Sequence, residues 1–166
     1  MDAVTELRLR APTHLVSPRA IAYWTLRAVL CWLVIGAVEI VVWLSRQHPS
    51  GLHLTLLLIT VLVGAAHVVV MPQWRYQVHR WEVGDTAVYT QAGWFTQERR
   101  IAPVARIQTV DTHRGPLEQL FGLSNVTVTT ASAAGPLKIH GLERGVAELL
   151  VEDLTVRTQA AGGDGT

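Results

Sequence analysis

A chain of 166 residues has room for one ordinary domain plus anchoring segments, which excludes a large multidomain enzyme. Apolar residues make up 49% of it and charged residues only 16%, and this shortage of charge, concentrated in the first half, places part of the chain in lipid. A net charge of +1 with histidines neutral lacks the basic footprint of a nucleic-acid binder, so nucleic acid is not an expected partner.

Residues 1–20 read as an N-terminal segment on the cytoplasmic side. The run from Ile21 to Leu44 follows, apolar except for Arg27 and Glu39 and longer than the roughly 20 residues that span a bilayer core, so it is predicted to be a transmembrane helix. Cys31, the single cysteine, lies inside it, which excludes an intrachain disulfide and a cysteine-based metal cluster. A second apolar run from Leu52 to Met71 ends at Pro72, with His67 as its deep ionisable group. The segment SRQHPSG between the runs is a polar turn short enough to force an antiparallel hairpin. Residues 21–71 thus read as a two-helix transmembrane unit.

Arginines set its orientation, because basic residues near membrane ends stay on the cytoplasmic side. Arg8, Arg10 and Arg19 precede the first helix and Arg75 and Arg80 follow the second, whereas the connecting loop carries only Arg46. Both termini are therefore expected in the cytoplasm, with the protein in the cell membrane. Tyr23, Trp24, Trp43, Trp74 and Tyr76 fit aromatic belts at the lipid–water boundaries. Charge inside a membrane is costly enough to be read as functional. At about 1.5 Å per residue, Glu39 lies roughly 7 Å from the outer end of its helix and His67 roughly 7 Å from the inner end of the other, so the two do not pair. Arg27 shares the inner depth and can snorkel to lipid phosphates. For Glu39 two readings stand: a hydroxyl between Thr55 and Thr60 on the second helix, or a basic residue of another subunit.

From Pro72 the pattern changes to short alternating runs with turn punctuation, the mark of half-buried strands. Strands are predicted at Arg75 to Val83, Thr86 to Gln91, Trp94 to Ile101, Ile107 to His113, Ser124 to Thr130 and Leu137 to His140, with a helical turn in PLEQLFG stopped by Gly122. Val126 and Val128 share one strand face. From Leu142 the period becomes helical, with Leu142, Val146, Leu149, Leu150 and Leu154 as the apolar stripe. Residues 72–158 then form a small β domain with a C-terminal helix covering its open end, and 159–166 a disordered tail. The fold class is a membrane α-helical hairpin followed by a mainly-β, pleckstrin-homology-like domain.

Particular residues carry that last step. Arg100-Ile101-Ala102-Pro103-Val104-Ala105-Arg106-Ile107-Gln108, then Gly115-Pro116-Leu117, Leu120-Phe121-Gly122-Leu123 and Val126-Thr127-Val128-Thr129-Thr130-Ala131, resemble the bacterial pleckstrin-homology membrane protein family. The resemblance runs from about Pro18 to Leu154. It implies a membrane-tethered, barrel-like domain, often accompanied by a larger relative carrying several such domains, and no agreed reaction. Headgroup binding as in eukaryotic pleckstrin-homology domains is not implied, because the chain has no lysine-rich phosphoinositide loop.

Common catalytic signatures, G-x-S-x-G, H-E-x-x-H and a phosphate-cradling glycine loop, are missing from the sequence, so neither an enzyme nor a cofactor is expected. Asp111 and His113 share a strand face without a nucleophile, and His79, His113 and His140 have no metal-ligand spacing. Asn125-Val126-Thr127 matches a glycosylation sequon but falls in a strand on the cytoplasmic side. Arg99, Arg100, Arg106 and Arg114 are the candidate contact residues, for anionic headgroups or for carboxylates of a partner. The functional expectation is a non-enzymatic interaction module for another membrane protein, a multidomain relative or a copy of itself; the alternative is an anionic-lipid headgroup sensor.

Overall fold

The computed structural model describes residues 11–45, 51–132 and 135–163. Arg8, Arg10, Arg46 and the last three residues lie outside them. Two helices, α1 (Arg19–Ser45) and α2 (Gly51–Val78), run antiparallel and are long and apolar enough to cross a bilayer. Helices suit lipid because every backbone donor and acceptor is satisfied within the segment. The pair closes tightly at Gly64, where an added Cβ would sit 3.0 Å from the Trp32 ring.

Pro72 does not end α2. Its ring is fully buried and the helix continues to Val78, because a proline removes only one backbone bond and packing in a membrane helix pair tolerates the loss. Residues 75–78, expected in a strand, therefore complete the helix, and the change from helix to sheet comes at His79. A two-residue strand that alternation could not show, β1 (His14–Leu15), lies before α1 and pairs with β2 (Arg80–Val83) just after α2. The membrane hairpin is thus an insertion between two neighbouring strands of one sheet. That sheet continues through β3 (Ala87–Ala92) and β4 (Glu98–Pro103), all antiparallel.

A 3-10 turn at Val104–Arg106 leads to the second sheet, β5 (Ile107–His113), β6 (Leu123–Thr130) and β7 (Leu137–Glu143). A short helix, α3 (Pro116–Leu120), lies between β5 and β6, and Gly122 at φ +65° makes the turn out of it. The last helix, α4 (Arg144–Gly163), begins after Leu142, which is a buried β7 residue, and continues past the expected end at 158.

Val88 and Ala102 from the first sheet meet Val126, Val128, Leu137, Ile139 and Leu142 from the second, and α4 closes this core with Ala147, Leu150 and Leu154. Expected stripe positions Val146 and Leu149 instead face outward; the true face is Ala147, Leu150, Val151 and Leu154, at i, i+3, i+4 and i+7. Ala147 is too small to register as a core position in a sequence pattern. Arg157 fastens the helix to the β2–β3 turn, donating to the Gly84 carbonyl at 3.3 Å. Leu154→Ala is expected to cost about 2–5 kcal/mol, whereas Leu149→Ala stays within about 0.5 kcal/mol; denaturant unfolding of the detergent-solubilised chain followed by circular dichroism checks the difference.

Candidate functional site

Where helices meet sheet, the chain builds a second cluster that belongs to neither. Val16, Ala20, Tyr23, Trp24 and Leu123 are buried together, with Tyr76, Trp81, Leu117 and Phe121 packed around them. The first turns of α1 are therefore covered by the domain, and Trp24 and Tyr23 lie in this interior instead of a lipid-facing aromatic belt. Gly141 of β7, at φ +76°, permits the contact: a Cβ there would meet the Ala20 methyl at 3.0 Å. The Ser17 amide donates to the Gly141 carbonyl at 2.9 Å, so β7 also grips the backbone leading into α1.

A polar chain crosses the same boundary. Arg27 donates to the Tyr23 hydroxyl at 3.0 Å, and that hydroxyl donates to Glu118 Oε1 at 3.1 Å. Asn125 Nδ2 donates to the same oxygen at 2.8 Å, and Asn125 Oδ1 accepts from the Gly141 backbone N–H at 3.0 Å. The other Glu118 oxygen accepts the Gly115 amide, fixing the start of α3. Burial alone would raise the Glu118 pKa, but the donors Asn125, Gly115 and Tyr23 outweigh it and hold the carboxyl below its ordinary range. Asn125, which the sequence offers only as a sequon, is a buried link between helix-side and sheet-side groups. Arg27 is thus a protein contact as well as a boundary cation.

His79 sits at the helix exit, 3% exposed, its ring 5.1 Å from that of Trp24. Its Nδ1–H donates to the Arg75 carbonyl at 2.8 Å, and the Arg75 guanidinium lies 4.6 Å from the centre of the Trp24 ring on its face. Burial above all, with the charge of Arg75 and the nearby His140 adding to it, pushes the His79 pKa down to about 4. Burial pushes His140 down as well.

Deeper in the helix pair, Trp32 Nε1 donates to His67 Nδ1 at 3.0 Å, and the Thr60 hydroxyl donates to Glu39 Oε1 at 2.7 Å. Glu39 Oε2 is buried without a partner among the described residues, next to an apolar cavity lined by Val42, His53 and Leu57. Of the four candidate arginines, Arg99, Arg100 and Arg106 line one cavity of about 470 Å³ with Thr130, Ser132 and Leu137, between the outer edges of β4 and β7. Arg100 is ion-paired with Glu98 at 2.6 Å and donates to the Pro136 carbonyl at 3.0 Å. Arg114 lies elsewhere, its Nε donating to the Leu123 carbonyl at 3.0 Å. Sequence reasoning missed Tyr23, Glu118 and Asn125 as a unit; the one local signal was a glutamate three residues after Gly115 at the start of a proline-led turn.

The unfolded chain protonates His79 below about pH 6.5, while the folded junction holds it neutral down to about 4. Its stability contribution is therefore complete above pH 6.5 and is lost as pH falls through that window, a loss on the order of 3 kcal/mol. Urea unfolding in mild detergent at stepped pH is expected to show this decline, and His79→Gln to flatten it. Glu118 adds a further loss at lower pH, once its depressed carboxyl protonates.

The sequence profile of the bacterial PH domain matches residues 26–157, from within α1 to the last turns of α4. A curated relative, the UPF0699 transmembrane protein YdbS of Bacillus subtilis (strain 168), is 30% identical over 125 residues, which cover 73% of this chain and 78% of that protein. No solved structure matches. With two transmembrane helices, two antiparallel sheets and a closing helix, most of whose length lies within the matched residues, the chain belongs to the bacterial PH domain family of membrane proteins.

Proposed function

We propose that this protein is a non-enzymatic interaction module that presents its PH-like domain on the cytoplasmic face of the cell membrane to another membrane protein, a multidomain relative or a second copy of itself. The observation that carries this reading is the packed and hydrogen-bonded junction. A domain that needed only to stay near the membrane would be served by a flexible linker. Here β1, the Trp24 cluster and the Arg27–Tyr23–Glu118–Asn125 chain fix the domain against its helices. Fixed orientation lowers the entropic cost of docking to a partner held in the same bilayer. Arg19, Arg27, Arg75 and Arg80 at the domain end of the helices support placing both termini in the cytoplasm.

The cleft between β4 and β7 is the favoured recognition surface. Among the described residues β4 pairs only with β3 and β7 only with β6, so each has an outer edge for an extended segment to join. Arg99, Arg100 and Arg106 beside it suit carboxylates of that segment. Anionic headgroup binding is the second reading, favoured by the same three arginines sharing one cavity.

Crosslinking of the tagged full chain in intact cells of its native host, followed by mass spectrometry, separates the two. A defined membrane protein in fixed proportion to the chain, reduced several-fold by an Arg99→Ala, Arg106→Ala double variant, is the expected result. Anionic lipid alone, lost in the same variant, supports headgroup sensing instead. A lone monomer with neither defeats both readings.

A further inference from the structure

The turn between β3 and β4 carries two aromatic residues that the domain does not use. Phe95 is 87% exposed and Trp94 is 40% exposed, their rings 4.9 Å apart and edge to face. Gly93, at φ +116°, sets the turn: a Cβ there would lie 1.9 Å from the Thr96 carbonyl oxygen, so no other residue holds this shape.

The turn reaches along the membrane helices. Trp74 Nε1 donates to the Trp94 carbonyl at 2.8 Å, and the Trp94 ring lies 5.8 Å from that of His67. His67 and Trp74 are seven residues apart and so share one face of α2. The helix rise puts His67 about 12 Å further from the domain than Arg75, whose guanidinium covers the buried Trp24. His67 is also level with Trp32 on α1, to which it is hydrogen-bonded. At this level both helices present aliphatic side chains outward, Leu33 and Val34 on α1 and Val69 and Val70 on α2. The Trp94 ring therefore stands at a depth where the helices face lipid.

We propose that the β3–β4 turn is a third membrane contact, with Trp94 and Phe95 inserted at the headgroup–acyl boundary of the domain-side leaflet beside His67 and Trp74. The occupant of this surface is the bilayer because the turn is continuous with the transmembrane surface through the His67 contact. Indole and phenyl rings suit that boundary: their apolar faces leave water while the indole N–H keeps a polar neighbour. Glu98, Arg99 and Arg100 follow within a few residues, at about 3.3 Å per residue along β4, so the first charges fall at headgroup height. With two helices and one turn in the membrane, three points of attachment define the tilt of the domain, which two neighbouring helix ends do not.

The test uses the full chain with Cys31→Ala and a single new cysteine, Phe95→Cys, labelled with an environment-sensitive fluorophore and reconstituted at one copy per phosphatidylcholine–phosphatidylglycerol nanodisc. Ala105→Cys, exposed in the 3-10 turn beyond the far end of β4, is the reference. The expected result is a several-fold drop in quenching by aqueous iodide at position 95 relative to 105, together with strong quenching by lipids brominated near the top of the acyl chain. A Thr96→Cys label reports the same depth with the Phe95 ring intact. Iodide reaching 95 and 96 as freely as 105 would overturn the proposal. Protection from iodide without quenching by brominated lipid would also overturn it, and would assign the turn to a protein contact.

Discussion

A membrane helix and a β-sheet make opposite demands where they join. The helix satisfies its own backbone and needs nothing from its surroundings, whereas an open sheet needs partners for its edges and cover for its apolar face. In this chain the demands are reconciled at Trp24. The indole is buried under β7, flanked by His79 and covered by Arg75, one residue from the tyrosine that begins the polar chain to Glu118. Without Gly141 the approach of β7 to Ala20 would be blocked, and the domain would hang from its helices by two short connections.

The insertion of the hairpin between β1 and β2 gives this junction its stiffness. Both strands entering the membrane and leaving it belong to one sheet, so the helix pair is held at two backbone positions as well as by side chains. Charge in the junction is handled by different means on each side. Glu118 stays ionised because three donors point at it, while His79 stays neutral because burial and a neighbouring guanidinium oppose its protonation. The junction is thus most stable where the carboxyl is charged and the imidazole is not, which includes neutral pH.

A stiff junction changes what the cavities on the domain mean. The cleft between β4 and β7 lies on a domain that is packed against its own helix pair, so its arginine-lined edge keeps its place relative to those helices. Inside the helix pair, Thr60 answers one oxygen of Glu39 and leaves the other without a partner among the described residues, a costly arrangement for a carboxyl at membrane depth. Helix pairing and domain placement therefore both include polar contacts in surroundings where a lost contact is expensive to replace.

Apolar runs longer than a bilayer is thick, followed by alternation, were enough to read two membrane helices and a β domain with a closing helix, because lipid and pleat each impose a period on the chain itself. The linked residues from Arg100 to Ala131 were enough to read the family. Boundaries within that plan were not legible. Pro72 looks like a stop and is not one, since it is buried inside a helix that continues to Val78, and burial is not visible in the local sequence. His14 and Leu15 have no pattern, and their strand exists only because β2 offers an edge. The α4 face turns the small Ala147 inward and the larger Leu149 outward. Tyr23, Glu118, Asn125 and Gly141 are separated by up to 118 positions and acquire a common role only when α1 meets β7. By itself the sequence determined where the chain enters lipid and which class of domain follows; only the tertiary structure decided how the two are joined, because hydrogen bonds and close approaches between distant residues depend on geometry that no local period encodes.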